Sequence, residues 1–126
     1  MKNNKLPISP HLQIYKPQMT SVLSITHRIT GFCLSLTLPF YLIWLGCIFF
    51  GSNTYLFLIN FCSNIFMSIL FMLMTYGFSY HMLNGIRHLI WDFGYGLSIR
   101  FSSISGIIII FLSIFFTLLI SIKFIL

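Results

Sequence analysis

Phe78-Ser-Tyr-His-Met-Leu-Asn-Gly-Ile-Arg-His-Leu-Ile-Trp-Asp92 closes a long apolar run. The chain has seven Lys and Arg, four His and one acidic residue, and this stretch holds His81, Arg87, His88 and the lone carboxylate, Asp92. Polar groups placed so abruptly after an apolar run read as a membrane helix reaching its polar edge. On a helix, His81 and His88 share a face about 10 Å apart in height. Gly85 lies between them on that face, and a residue without Cβ lets something flat and bulky approach the backbone. The pattern suits a haem ligand at His81, with Arg87 and His88 as a polar rim for the haem carboxylates. A core or interface histidine with ordinary hydrogen bonds is the open alternative.

Composition agrees with a membrane setting. The chain has 126 residues, 58% hydrophobic and 6% charged, with mean hydropathy +0.98. A soluble domain carries roughly 25% charged residues. A bilayer crossing takes about 20 apolar residues, so there is room for three spans and no separate soluble domain. The net charge is +6, but the positive residues stand at apparent helix ends. They set topology and meet headgroups, and nucleic-acid binding is not expected. Cys33, Cys47 and Cys62 form no C-x-x-C pair and read as small buried hydrophobes. No signal core or Arg-rich transit pattern follows the N-terminal lysines, so insertion without a cleaved presequence is expected. The Ile- and Phe-rich composition leans toward a mitochondrion-encoded subunit of the inner membrane. A bacterial inner membrane is the alternative.

Along the chain, the expected architecture is an all-α membrane protein of one domain, residues 1–126, with three transmembrane helices. Residues 1–20 form a short non-spanning leader, broken by Pro7, Pro10 and Pro17. Within it, Tyr15 and Lys16 suit the membrane interface, and His11 reads as a surface or interface residue. The first span covers about 21–50, capped by Thr20 or Ser21 and interrupted by Pro39. Ser24, Arg28, Gly31 and Ser35 recur on one of its faces, which suits helix contact or a ligand. The second span covers about 55–92 as one helix, with Asn60, Ser63, Asn64 and Ser68 available for interhelical bonds, or Asn60 simply near the interface. The third covers about 102–123, with Gly106 and Ser113 on one face and Lys123 snorkelling at its end.

Charge sets the orientation. Lys2, Lys5, Lys16 and Arg28 precede or open the first span, the first loop has no basic residue, and Arg87 and Arg100 flank the second loop. The positive-inside rule puts the N-terminus and second loop inside, in matrix or cytoplasm. Ser24, His27 and Arg28 then share a depth with His81, Arg87 and His88. Ionisable residues at membrane depth are a functional-site hypothesis by default. The plainer alternative is that the arginines only anchor helix ends.

Three segments carry a resemblance: Pro7-Ile-Ser-Pro-His-Leu-Gln-Ile-Tyr15, Ser24-Ile-Thr-His-Arg-Ile-Thr-Gly31 and His81-Met-Leu-Asn-Gly-Ile-Arg-His-Leu-Ile-Trp-Asp92. In order and spacing they resemble the cytochrome b subunits of succinate dehydrogenase, the larger membrane anchors of respiratory complex II. One departure is visible: Leu6 stands before Pro7 where the family often has arginine, and Lys5 offers charge without the planar fork. The resemblance implies His81 as an axial ligand to haem b, the other ligand coming from a small second anchor subunit. It implies His88 and Arg28 near the haem propionates, Ser24 and Arg28 at a quinone site, and His27 close by. Asp92 is implied to pair with Arg87 or with a residue of the iron–sulfur subunit. The implied function is membrane anchor of succinate:quinone oxidoreductase, attaching the flavoprotein and iron–sulfur subunits and helping to reduce ubiquinone. The chain is not an enzyme by itself.

The chemistry suits that role. Two neutral imidazoles filling both axial positions favour electron transfer over oxygen binding. Arg28 can stabilise charge developing on a quinone carbonyl, and Ser24 can donate to it. The rival readings are a fumarate reductase-type anchor, a haem-free structural anchor, and a small channel, for which the first and third spans lack polar residues.

Overall fold

A computed structural model describes residues 16–125, with side chains as far as Ile122. The leader motif with His11, and the side chain of Lys123, lie outside the described residues. Pro39 sets the first break. It has no N–H, and its ring crowds the carbonyl four residues back. Helix α1 (Met19–Ser35) therefore stops, and α2 (Leu38–Phe49) starts with the proline in its first turn, where no donor is missed. Hydroxyls bridge the junction: Ser35 donates to the Phe32 carbonyl and Thr37 to that of Leu34, both at 2.7 Å. Together α1 and α2 make one apolar stretch, Met19–Phe49. The residue capping α1 is Gln18, not Thr20 or Ser21, and its side chain makes no capping bond.

The second span departs from the expected single helix. The chain breaks between α3 (Ser52–Cys62) and α4 (Ile65–Asp92). Asn64 takes an extended backbone, φ −80° and ψ 156°, and its side-chain oxygen accepts from the Met67 amide at 2.9 Å. That is an N-cap. Its amide nitrogen donates back to the Phe61 carbonyl, and Ser63 donates to that of Asn60, both at 2.8 Å. Of the polar residues available for interhelical bonds, Ser63 and Asn64 instead close off one helix and start the next. Helix α3 packs against α2, and Thr54 spans their turn by donating to the Cys47 carbonyl at 2.8 Å.

Helix α4 ends where the glycines of the second loop begin. Gly94, at φ 83°, donates to the Trp91 carbonyl at 2.8 Å, and Tyr95 donates to that of Ile90 at 3.3 Å. This paired closure needs a left-handed residue, which glycine supplies without strain. Helix α5 (Ile99–Ile125) then runs back beside α4. The three long apolar stretches are Met19–Phe49, Ile65–Asp92 and Ile99–Ile122. The described part is all helix, as expected of a three-span membrane protein.

The buried interior is largely polar. Leu23, Tyr80 and Ile109 are its buried apolar side chains, beside Ser79, Asn84, Arg87, Ser102, Ser113 and Thr117. Large apolar residues point outward instead; Phe57 is 73% exposed and Phe111 69%. In lipid, burying leucine gains nothing over leaving it in hydrocarbon, so small and hydrogen-bonding residues make the helix contacts. On α5 these are Ser102, Gly106, Ile109, Ser113 and Thr117, one helical face; the expected Gly106 and Ser113 pair belongs to it. Across α1 and α4, the Tyr80 hydroxyl lies 2.6 Å from that of Thr26 and donates to the Leu23 carbonyl at 3.0 Å. Asn84 donates to the same carbonyl at 3.3 Å. Helix α1 runs antiparallel to α4: Leu23 meets Asn84, and Thr30, two turns later in α1, meets His81, one turn earlier in α4.

Gly106 is the tightest point of this bundle. A Cβ there runs into the buried Leu23 side chain and lies 3.6 Å from an Arg87 nitrogen. Gly106→Val is expected to cost about 1–3 kcal/mol as an overpacked site. A lowered Tm of the detergent-solubilised assembly checks this, and an unchanged Tm refutes the packing account.

Candidate functional site

The polar residues singled out in the sequence gather at one end of the bundle. That end is formed by the opening turns of α1 and α5 and the closing turns of α4, as the helix directions require. His81 leaves α4 toward α1. Its Nδ1 lies 3.1 Å from the His27 carbonyl and 3.3 Å from the Thr30 hydroxyl. The ring rests on Gly31, where a Cβ would stand 2.8 Å from the His81 Cε1. Only a residue without a side chain lets the imidazole lie so close to α1.

His27 stacks on this ring, with centroids 4.0 Å apart and planes 4° from parallel. On its other side stands His88, 5.1 Å away and tilted by 49°, and His88 meets Trp91 edge to face at 5.0 Å. Four rings thus form a row along the seam of α1 and α4. The room at Gly85 is taken by the His27 ring, whose Cε1 sits 3.7 Å from the position of a Cβ there. The flat neighbour expected of Gly85 is, within this chain, an imidazole. The buried Nδ1 of His27 has no partner among the described residues.

Ser24 and Arg28 lie one turn apart on the flank of α1 beside this row. Ser24 is half-buried and Arg28 exposed. Neither side chain has a hydrogen bond or ion pair among the described residues. Gly31, grouped with them by spacing, serves the helix contact, while Ser35 is exposed and bonds its own helix.

Arg87 goes elsewhere. Expected at the rim beside His88 and paired with Asp92, it turns into the contact between α4 and α5 and is 4% exposed. One terminal nitrogen donates to Asn84 Oδ1 at 2.9 Å, and the other to the Ser102 carbonyl and hydroxyl at 3.2 and 3.1 Å. Its guanidinium covers the Trp91 ring at 4.1 Å. Among the described residues no ion pair joins it to Asp92, which is exposed. Arg87 follows Asn84 by one helical turn and faces α5, whereas His88 faces α1.

This geometry fits one side of a haem. Both neighbours of His81 Nδ1 act as acceptors, because the Thr30 hydroxyl spends its own proton on the His27 carbonyl at 2.9 Å. The proton of the neutral ring therefore sits on Nδ1, and the lone pair on Nε2. Nε2 makes no hydrogen bond among the described residues. No group of three or more His, Cys, Asp or Glu among the described residues is arranged to hold a metal ion alone. A haem iron asks for one nitrogen per face, and His81 offers one. The seat of that ring, Thr30 and Gly31, was missed in the role of holding His81. The signal was a glycine four positions after His27, where α1 enters its apolar stretch.

The chain is similar to known proteins over nearly its whole length. Residues 2–120 match the family model of the succinate dehydrogenase/fumarate reductase transmembrane subunit. The succinate dehydrogenase cytochrome b556 subunit of Rickettsia typhi is 45% identical over 92% of this chain and 90% of its own. The cytochrome b560 subunit of Reclinomonas americana is 43% identical, covering 93% and 85%. That of Marchantia polymorpha is 41% identical, covering 94% and 90%. With the family's second and third segments on α1 and α4, three apolar spans and matches of this extent, the chain belongs to the succinate dehydrogenase/fumarate reductase transmembrane subunits, as a cytochrome b-type membrane anchor.

Proposed function

We propose that this chain is the large anchor of a succinate:quinone oxidoreductase and holds one face of haem b through His81. The observation that carries the reading is the His81 ring, with Nδ1 3.1 Å from the His27 carbonyl and no hydrogen bond at Nε2 among the described residues. A second histidine, from a small anchor subunit, would supply the haem's other ligand. Haem, when bound, supplies a one-electron store. His88 and Arg28 would serve as donors to the haem propionates, and the His27 ring, 4.0 Å from that of His81 and 5.1 Å from that of His88, joins the two.

Ser24 and Arg28 form this chain's share of a ubiquinone site. The hydroxyl donates to a quinone carbonyl, and the guanidinium stabilises the negative charge that grows on that oxygen during reduction. Neither side chain has a partner among the described residues to give up on taking a ligand, and this supports the reading. The flavoprotein and iron–sulfur subunits carry the succinate chemistry, and this chain anchors them. The Ile- and Phe-rich composition favours a mitochondrial inner membrane, with the N-terminus in the matrix.

Affinity purification through this chain, with mass spectrometry and a reduced-minus-oxidised spectrum, tests the reading. The expected result is a second anchor, an iron–sulfur protein and a flavoprotein, with a low-spin b-type band. A stable assembly with the same partners but no haem leaves a structural anchor and refutes the haem assignment.

The quinone assignment has its own test. Ser24→Ala removes one hydrogen bond, about 0.5–1.5 kcal/mol, so quinone KM should rise by roughly 2- to 10-fold. Arg28→Lys should also impair quinone reduction, since a point charge does not replace the fork. Succinate oxidation with an acceptor that takes electrons upstream should stay normal in both. Wild-type quinone kinetics in both assembled variants refute the site.

A further inference from the structure

Thr30 and Gly31 have no part in the reading so far beyond seating His81. Their geometry is specific. The Thr30 hydroxyl is 2.9 Å from the His27 carbonyl, to which it donates, and 3.3 Å from His81 Nδ1. The carbonyl also accepts from His81 Nδ1 at 3.1 Å. The Nδ1–H therefore faces two oxygens on one turn of α1. The other tautomer sets a nitrogen lone pair against a carbonyl lone pair, so it is disfavoured. Gly31 fixes the third degree of freedom: the ring lies so near α1 that a Cβ would stand 2.8 Å from Cε1 and 3.4 Å from Nδ1. The parallel His27 ring, stacked on it at 4.0 Å, limits rotation.

We infer that Thr30 and Gly31 are positioning residues that set the orientation and donor strength of His81, and through it the reduction potential of the haem. The inference rests on His81 being the axial ligand. Donation from Nδ1–H to an oxygen raises electron density at Nε2, and a stronger nitrogen donor favours the oxidised iron. Loosening the ring from α1 weakens that donation, so the potential rises. Gly31→Ala pushes the ring away directly. Thr30→Val replaces an acceptor with a methyl group facing the N–H. Thr30→Ser retains the hydroxyl.

The test uses the intact complex, with assembly checked by size-exclusion chromatography. Potentiometric titration of the b-type band and the low-spin electron paramagnetic resonance signal are read in each variant. Thr30→Val and Gly31→Ala should shift the midpoint upward and alter the signal, while Thr30→Ser stays close to wild type. Loss of haem from an assembled Gly31→Ala complex also supports the inference, since it reports a displaced ligand. If Gly31→Ala fails to assemble, the isosteric Thr30→Val decides. Unchanged midpoint and signal in Thr30→Val overturn the inference, and so does a Thr30→Ser shift equal to that of Thr30→Val. A wild-type low-spin signal that survives His81→Ala overturns the ligand assignment beneath it, and separates that failure from this one.

Discussion

The His81→Ala complex should assemble and lose its six-coordinate low-spin haem signal. Assembly survives because the substitution strands no buried donor. The His27 carbonyl that loses the His81 N–H still accepts from Thr30 at 2.9 Å. What remains is a gap the size of an imidazole on Gly31, at a helix seam also held by Tyr80 and Asn84. The haem fares differently. Losing an outer-shell partner of a metal ligand typically costs 10–100-fold in affinity, and losing the ligand itself costs more. The expected spectrum is five-coordinate high-spin, or haem is absent. Some quinone reduction should persist where electrons reach the quinone directly from the iron–sulfur subunit. An unchanged low-spin spectrum would show that another imidazole of the row is the ligand, with His88 the first candidate because it shares a helical face with His81.

The number of spans and the end of the bundle that carries the polar residues were legible in the sequence. Both follow from properties that lipid imposes on any helix: apolar length and the placement of charge. The clustering of Ser24, His27, Arg28, His81 and His88 followed from the same topology. Spacing could not tell which side of α4 each polar residue faces. His81 and His88 look to α1, whereas Arg87, one residue before His88, looks to α5. That choice depends on where α5 docks, and so on Ser102 and Gly106, fifteen or more residues away. The break at Ser63 and Asn64 was hidden for a different reason. The residues that cap a helix and those that bond between helices are the same types, and only backbone geometry separates the two uses. The polar interior was hidden because hydropathy marks a serine or threonine in a membrane helix without saying whether it meets lipid or protein.

Arg87→Ala is expected to destabilise the assembly more than any substitution in the row of rings. The guanidinium is 4% exposed and supplies donors to Asn84 Oδ1 at 2.9 Å and to the Ser102 carbonyl and hydroxyl at 3.2 and 3.1 Å. Asn84 is itself fully buried and reaches α1 through the Leu23 carbonyl, so the arginine joins a network across all three spans. Removing it leaves the Asn84 oxygen without its donor, at a cost of about 1–3 kcal/mol for an unsatisfied buried group. It also uncovers the Trp91 face, on which the guanidinium rests at 4.1 Å, losing about 0.5–2 kcal/mol of cation–π attraction. A loss of several kcal/mol is a large part of a stability of about 5–15 kcal/mol. Arg87→Lys should recover only part of it, because one ammonium cannot serve Asn84 and Ser102 while lying flat on an indole. Thermal unfolding of the solubilised complex should therefore rank wild type above Arg87→Lys and Arg87→Ala lowest. An arginine whose task was to hold haem carboxylates would give the opposite pattern, with an unchanged Tm and a shifted haem potential, and that result would return Arg87 to the rim.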